Sequence, residues 1–415
     1  MSTQTDLPDY LKPQNSSVKE SFRAYIGRVR GGDMGPLPAV IGLVVLVVLF
    51  SLLRPVFFTP LNFANFFTQA AVVAILAMGL IFVLLLGEID LSAGVTSGVA
   101  GALLAVGMAK WGMPWYLAFG IAMVAGLLIG LFIGTLVARV GIPSFVVTLA
   151  LFLAFQGLVL IIIGEGGNVR ITDPVILAIE NNNLPTWGGW VFFLILVVGY
   201  FLMAYSGRRR RIKRGFSATS MTLIWIKTAV IAVIAFIAVW ILNLERSVNP
   251  ELNPLSGVPI IIPIIAILTL AFGFVLERTS FGRHVYAVGG NVEAARRAGI
   301  SVKQVRIAVF TICSMTAAFA GIVAASRAAS VDPNAGRFIV LNAIAAAVIG
   351  GTSLFGGRGR IYDALIGASV VAVIDNGMGL LGYSAGVKLM ITGGVLMLAA
   401  GADALSRKRS MTSLK

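Results

Sequence analysis

The chain is a succession of apolar stretches, each close to the ~20 residues that a bilayer core demands, with short polar breaks between them. Residues 144–163, for example, contain no charge at all. In lipid every backbone amide must find its partner inside the segment, so such stretches are helices. Twelve are expected, at 38–53, 66–86, 91–109, 115–138, 144–163, 189–205, 223–242, 258–276, 304–325, 340–354, 361–381 and 386–403. Those at 91–109 and 340–354 are short and glycine-rich, which leaves re-entrant or broken helices open for both. With 58% hydrophobic and only 12% charged residues, little chain remains for a soluble domain. The expected fold is an all-α integral membrane protein, a polytopic bundle of about 10–12 transmembrane helices.

Lys and Arg gather on alternate loops. With the N terminus in the cytoplasm, the tail with Lys12, Lys19, Arg23, Arg28 and Arg30 is inside. So are Arg208 to Arg211 with Lys213 and Arg214, the 277–303 loop (Arg278, Arg283, Arg296, Arg297, Lys303), and Arg407, Lys408 and Arg409. This satisfies the positive-inside rule, so both termini are expected to be cytoplasmic. The same placement explains the net charge of +15 without invoking nucleic acid. Outer loops at 165–188, 243–257 and 326–338 are rich in turn formers and suit a docking surface; the first carries Glu165, Arg170, Asp173 and Glu180. About 36 polar residues precede the first span, which is therefore expected to be an uncleaved anchor.

The residues needed for catalysis are scarce. His284 is the one histidine and Cys313 the one cysteine, so neither a metal cluster nor an internal disulfide is expected. No acidic pair stands at catalytic spacing. The sequence contains no G-x-x-x-x-G-K-[ST] phosphate loop. Gly350 to Gly359 is glycine-rich but lacks the lysine, and reads as a sharp, closely packed turn.

Polar and small residues inside spans are the candidates that remain. Gly126, Gly130 and Gly134 lie on one helix face, and Gly94 and Gly98 repeat the spacing; both sets let helix backbones approach closely, within the chain or between subunits. Glu88 and Asp90, followed by Ser92, sit between two spans. Ionisable groups near a membrane are functional candidates, yet Asp90 can equally cap the next helix. Asp375 and Asn376 lie deeper, within 361–381, and either line a path or bond between helices. Asn65, Thr68, Gln69, Thr148 and Gln156 also put polar groups in spans.

The 277–303 loop is too long for a tight turn. Asn291 is a good N-cap, Glu293 falls in a first turn and Gly299 is a good C′ residue, which predicts a short helix over 292–298. Ser301 to Gln304 has the form of a capping box that opens the next span. The surface of Ala294, Ala295 and Ala298 belongs either to an interfacial connector or to a knob inserted into a partner's groove.

Four blocks, in order, carry a resemblance: GEIDLSAG at 87–94, GRHVYAVGGNVEAARRAGI at 282–300, AIAAAVIGGTSLFGG at 343–357 and DNGM at 375–378. They resemble the permeases of ribose/xylose-type ABC sugar importers, over residues of about 40 to 405. The family's permeases usually have ten spans, and residues 206–245 look like an inserted hairpin with a basic tip, most similar to the D-xylose branch. The family commonly has an acidic residue just before the Ala-Ile-Ala-Ala block, where this chain has Asn342. The Gly-rich block is followed by Arg358 and Arg360, with bulky Ile361 and Tyr362 where the family prefers small residues.

The resemblance implies a permease domain at 38–405 between cytoplasmic tails at 1–37 and 406–415, in the inner (plasma) membrane of a prokaryote. A homodimer would form the path for a monosaccharide, D-xylose or a related pentose, delivered by an extracytoplasmic sugar-binding protein. ATP and magnesium would be held by separate ATPase subunits, so this chain needs no cofactor. Gly289, Gly290, Asn291, Glu293, Ala294, Ala295, Arg296, Ala298 and Gly299 would form the ATPase-coupling segment. Asn65, Gln69, Thr148, Gln156, Asn342, Asp375 and Asn376 are the candidates for the translocation path. The competing expectation is a secondary sugar transporter driven by an ion gradient, which would not need the 277–303 loop.

Overall fold

The computed structural model describes residues 37–412 except 165–166, 216–217 and 248, with side chains as far as 398. The basic N-terminal tail, Glu165 and the C-terminal basic side chains lie outside the described residues. The chain divides into two compact units, residues 35–183 with 259–405, and a second unit containing 184–258.

The larger unit is a helical bundle. Its elements are α1 (Leu37–Leu53), α2 (Pro60–Leu85), α3 (Ser92–Ala109), α4 (Trp115–Thr135), α5 (Ser144–Ile163), α6 (Pro174–Asn181), α9 (Ile261–Arg278), α10 (Ser280–Gly290), α11 (Val292–Arg297), α12 (Val302–Ala328), α13 (Ile339–Gly350), α14 (Ile361–Leu380) and α15 (Ala385–Thr412). The second unit is a hairpin of α7 (Thr186–Lys213) and α8 (Met221–Asn243). Among the described residues nine helices are long and apolar enough to cross a membrane, and three shorter apolar ones lie at 37–53, 339–350 and 385–398. Every expected span thus coincides with a helix. The hairpin unit takes in both arms, 184–258.

Helix α2 is the centre of the bundle. Thr59 caps it by accepting from the Asn62 N–H (3.3 Å), Pro60 occupies the first turn, and residues 70–85 are buried without exception. A helix that is apolar all round is buried all round, and α2 packs against α9, α12, α13 and α14. Helix α3 is continuous, so its glycines mark no break; Gly94 and Gly98 face the backbone of residues 335–336. The short element is α13: its 12 residues extend only about 18 Å.

The glycine stripe on α4 has its partner inside the chain. A Cβ at Gly126 would lie 2.6 Å from Ala318 Cβ, one at Gly130 2.5 Å from Thr311 Cα, and one at Gly134 2.7 Å from Ile307 Cα. All three therefore seat α4 directly on α12. One short ladder interrupts the helical fold: Val169 pairs with Val331 and Arg170 with Ser330, antiparallel, tying two loops together.

Candidate functional site

The bundle has two functionally suggestive ends. At one, the N-terminal part of α2, the C-terminal parts of α12 and α14, and the first turns of α13 and α15 line an open cavity of about 590 Å³. Its lining includes Asn62, Asn65, Gln69, Arg327, Asn342, Asp375, Asn376 and Lys388, with Val73, Phe338, Val371 and Leu389 as apolar wall. Five residues anticipated for a path (Asn65, Gln69, Asn342, Asp375, Asn376) come together here from three helices. Asn62, Arg327 and Lys388 escaped the sequence reading. The first is buried near the start of α2, and the two cations resemble ordinary loop and helix-end charges until the fold turns them toward Asp375.

Two expected members are elsewhere. The Thr148 hydroxyl donates to the Ile89 carbonyl (3.2 Å), which ties α5 to the loop before α3. Gln156 is absent from the cavity lining, and its Nε2 is buried without a hydrogen-bond partner.

The cavity's polar wall is ordered by amides. Asn62 Nδ2 donates to Asn376 Oδ1, and Asn376 Nδ2 donates back to Asn62 Oδ1, each at 2.9 Å. Asn376 Nδ2 also reaches Gln69 Oε1 (3.3 Å), and Asn62 Nδ2 reaches the Phe57 carbonyl (3.0 Å). A wall of amide donors and acceptors beside one carboxylate and two cations matches the hydroxyls of a polyol, each of which donates and accepts.

The other end of α2 holds the second site. Thr279 caps α10 by accepting from the Gly282 N–H (3.2 Å). This helix was not anticipated, although Phe281, Val285 and Val288 carry its apolar period. Gly289 lies so close to the Leu85 carbonyl oxygen that a Cβ there would overlap it. The same oxygen accepts from the Gly357 N–H (2.9 Å), and the Tyr286 hydroxyl donates to the Gly359 carbonyl (2.7 Å). Burial, with the charges of Glu277 and Asp363, pushes the Tyr286 phenol up to about 12. The glycine-rich turn is thus a backbone knot joining the ends of α2 and α10.

Helix α11 projects from this knot. Asn291 Oδ1 accepts from the Ala294 N–H (2.9 Å). At the other terminus Gly299, with φ +80°, completes a Schellman motif, in which Ile300 N donates to the Ala295 carbonyl (3.1 Å) and Gly299 N to the Arg296 carbonyl (3.0 Å). Glu293, Ala294, Arg296, Arg297 and Ala298 are exposed, and Glu293 pairs with Arg296 at 2.6 Å. Two expectations need correction. Ala295 is buried in the core cluster with Val302 and Val305, because the α11–α12 turn folds it inward, so it is no part of an exposed knob. Gly289 stays within the knot through its contact with Leu85, and Gly290 is exposed. Nor does Ser301 form a side-chain cap; its ψ of 86° departs from the usual extended N-cap.

Glu88 and Asp90 serve the scaffold beside this end. Glu88 pairs with Arg306 of α12 (2.9 Å). Asp90, fully buried, accepts from the Ser92 N–H (2.9 Å) and hydroxyl (2.6 Å) at the start of α3, and burial raises its pKa above the ordinary carboxylate range.

Residues 62–400 match the family model described as a branched-chain amino acid transport system / permease component. The chain is 36% identical over 349 residues to the xylose transport system permease protein XylH of Escherichia coli (strain K12), covering 84% of this chain and 86% of that one. It is 34% identical over 379 residues to the ribose import permease protein RbsC of Bacillus subtilis (strain 168), covering 91% and 95%. The chain belongs to the ribose/xylose-type family of ABC sugar-importer permeases. This permease is a multi-pass inner-membrane protein of bacterial type, a transport component and not an enzyme. No solved structure matches it.

Proposed function

We propose that the permease translocates D-xylose or a related pentose, as a homodimer with both termini in the cytoplasm. An extracytoplasmic binding protein would deliver the sugar, and two separate subunits would bind ATP and magnesium. The membrane domain would be 38–405, with cytoplasmic tails at 1–37 and 406–415. The observation that carries the reading is the amide-walled cavity at one end of α2 and α14 with the glycine knot at the other. A volume of about 590 Å³ suits a monosaccharide and its water. In the proposed orientation the cavity faces outward, on the side of a binding protein, while α11 faces the ATPase.

Coupling would run along the helices that belong to both sites. Closure of the ATPase subunits would move α10 and α11; the knot at Leu85, Gly289 and Gly357 would pass that movement to α2. Because Asn62 and Asn376 bind α2 to α14, the mouth would respond. Weak, hydroxyl-matching contacts suit this role, since tight binding in the path would slow release.

The reading is tested by reconstituting the permease with its ATPase in liposomes and supplying binding protein and labelled pentoses. Xylose accumulation that requires ATP supports it. Accumulation driven by a proton or sodium gradient without ATP would replace it with secondary transport, and ATP-dependent uptake of a hexose but of no pentose would overturn the assigned sugar.

A further inference from the structure

The hairpin of residues 184–258 has two ends of opposite character. Where α8 runs out, charge is satisfied internally. Glu245 Oε1 accepts from the N–H groups of Arg246 (3.1 Å), Ser247 (2.9 Å) and Leu255 (2.8 Å), which hold its carboxyl below the usual range. Arg246 Nη2 in turn donates to the Gly257 carbonyl (3.0 Å). At the tip six of the seven residues 208–214 are cationic, and no acidic residue occurs anywhere between 184 and 244. Arg208 is engaged with the Thr219 carbonyl (3.0 Å) and Arg210 with Ser206 (3.4 Å). Arg209, Arg211, Lys213 and Arg214 are exposed, and among the described residues none has a carboxylate partner.

The depth of this charge can be read from the arms. The apolar part of α7, Trp187 to Tyr205, extends about 28 Å, close to the thickness of a hydrocarbon core. Exposed Trp187 and Trp240 mark its far limit. At the tip limit Phe201 packs on Trp225 (4.7 Å between centroids) and on Tyr205 (6.1 Å), the belt expected at a lipid–water boundary. Helix α7 does not stop there. It continues to Lys213, which places Arg209 and Arg211 about 6–9 Å beyond the belt, at the level of lipid phosphates, and Lys213 and Arg214 about 12–14 Å beyond it, within reach of the headgroups by their long side chains. Successive side chains turn by about 100°, so Arg209 and Arg211 lie on roughly opposite sides of the helix, with Lys213 close to Arg209, instead of all sharing one face.

We propose that the hairpin tip is a binding site for anionic phospholipid headgroups, held chiefly by Arg209, Arg211, Lys213 and Arg214. A guanidinium fork matches a phosphate bidentately. Cations on opposite sides of one helix end are matched by lipid headgroups around it, whereas an acidic protein surface would engage one face. A topological signal needs only the number of cations; a helical extension, with no acidic residue between 184 and 244, gives them a ligand. The proposal does not depend on which sugar is carried.

The test uses the full-length permease in mild detergent, with equal amounts of phosphatidylglycerol and phosphatidylcholine of one chain length. Native mass spectrometry should show phosphatidylglycerol retained at least tenfold better, and the R209Q/R211Q/K213Q/R214Q variant should lose that preference, at about fivefold or less per charge. On the wild type, which needs no mutation to fold, the preference should collapse near 1 M salt, where the Debye length is ~3 Å. Equal retention of the two lipids by the wild type would overturn the proposal. So would a preference that survives both the quadruple substitution and high salt. A variant that keeps its lipid preference but no longer copurifies with the ATPase would assign the tip to a protein partner, and would overturn it too.

Discussion

Asn62 and Asn376, on α2 and α14, exchange two amide hydrogen bonds of 2.9 Å in the wall of the cavity. The pair is buried, so removing one partner strands the other, at about 1–3 kcal/mol. We expect Asn376→Ala to lower the melting temperature and Asn62→Ala to do the same. The double variant should cost less than the sum of the two, because neither asparagine is then left facing an absent partner, although Gln69 Oε1 and the Phe57 carbonyl each lose a donor. If the pair also links the mouth to the motion of α2, uptake by the double variant stays low while its stability recovers. Recovery of both together would make the pair a structural tie only.

Much of this was legible in the sequence. Apolar length located the helices, since lipid allows no other way of pairing a backbone. Asn291 and Gly299 delimited α11 because caps are local chemistry. Polar residues inside α14 and at the head of α2 pointed to four of the eight polar residues of the cavity wall. What remained hidden was rotational. Ala294 and Ala295 are chemically identical neighbours, and only the fold of the α11–α12 turn decides which one is buried. Thr148 looked like a path residue until Ile89 appeared as its partner, 59 positions away.

The knot makes a paired prediction about two adjacent glycines. A Cβ at Gly289 overlaps the Leu85 carbonyl, whereas at Gly290 nothing lies within 4 Å. Gly289→Ala should therefore lose about 1–3 kcal/mol through overpacking against backbone that cannot yield locally. Gly290→Ala should stay within about 0.5 kcal/mol of the parent. Thermal melting of the two purified variants in detergent checks this; equal melting temperatures would mean that the close contact is not rigid.

Exposure divides the coupling helix in the same way. Ala295→Trp should destabilise the bundle, because its side chain is folded into the core. Ala294→Trp has free space and should leave melting unchanged. If α11 docks into an ATPase subunit, Ala294→Trp should still prevent copurification and abolish uptake. Arg296→Ala should be milder, since its pairing with Glu293 is solvent-exposed. Normal copurification and uptake by the Ala294→Trp permease would reduce α11 to a connector.

Glu180, on α6, sets a pH dependence. Its carboxylate is buried with neither oxygen hydrogen-bonded, and burial pushes its pKa up to about 8 despite the nearby Arg327, from an ordinary 4.5. Between those values the folded chain holds a proton that the unfolded chain has released. Stability therefore falls as pH rises through that window and levels off above it, the reverse of a salt-bridged carboxylate. The backbone around Glu180 is already fixed, with its N–H on the Ser326 hydroxyl (3.2 Å) and Asn181 Nδ2 on the Ser326 carbonyl (2.7 Å), so local refolding offers no easy escape. We expect the melting temperature of the wild type to decline between about pH 5 and pH 8. Glu180→Gln, which cannot ionise, should flatten that slope and leave the variant the more stable at the upper end. A wild-type profile that rises over this range, or an equal slope in Glu180→Gln, would show that the carboxyl titrates near its ordinary value and that water or Arg327 reaches it.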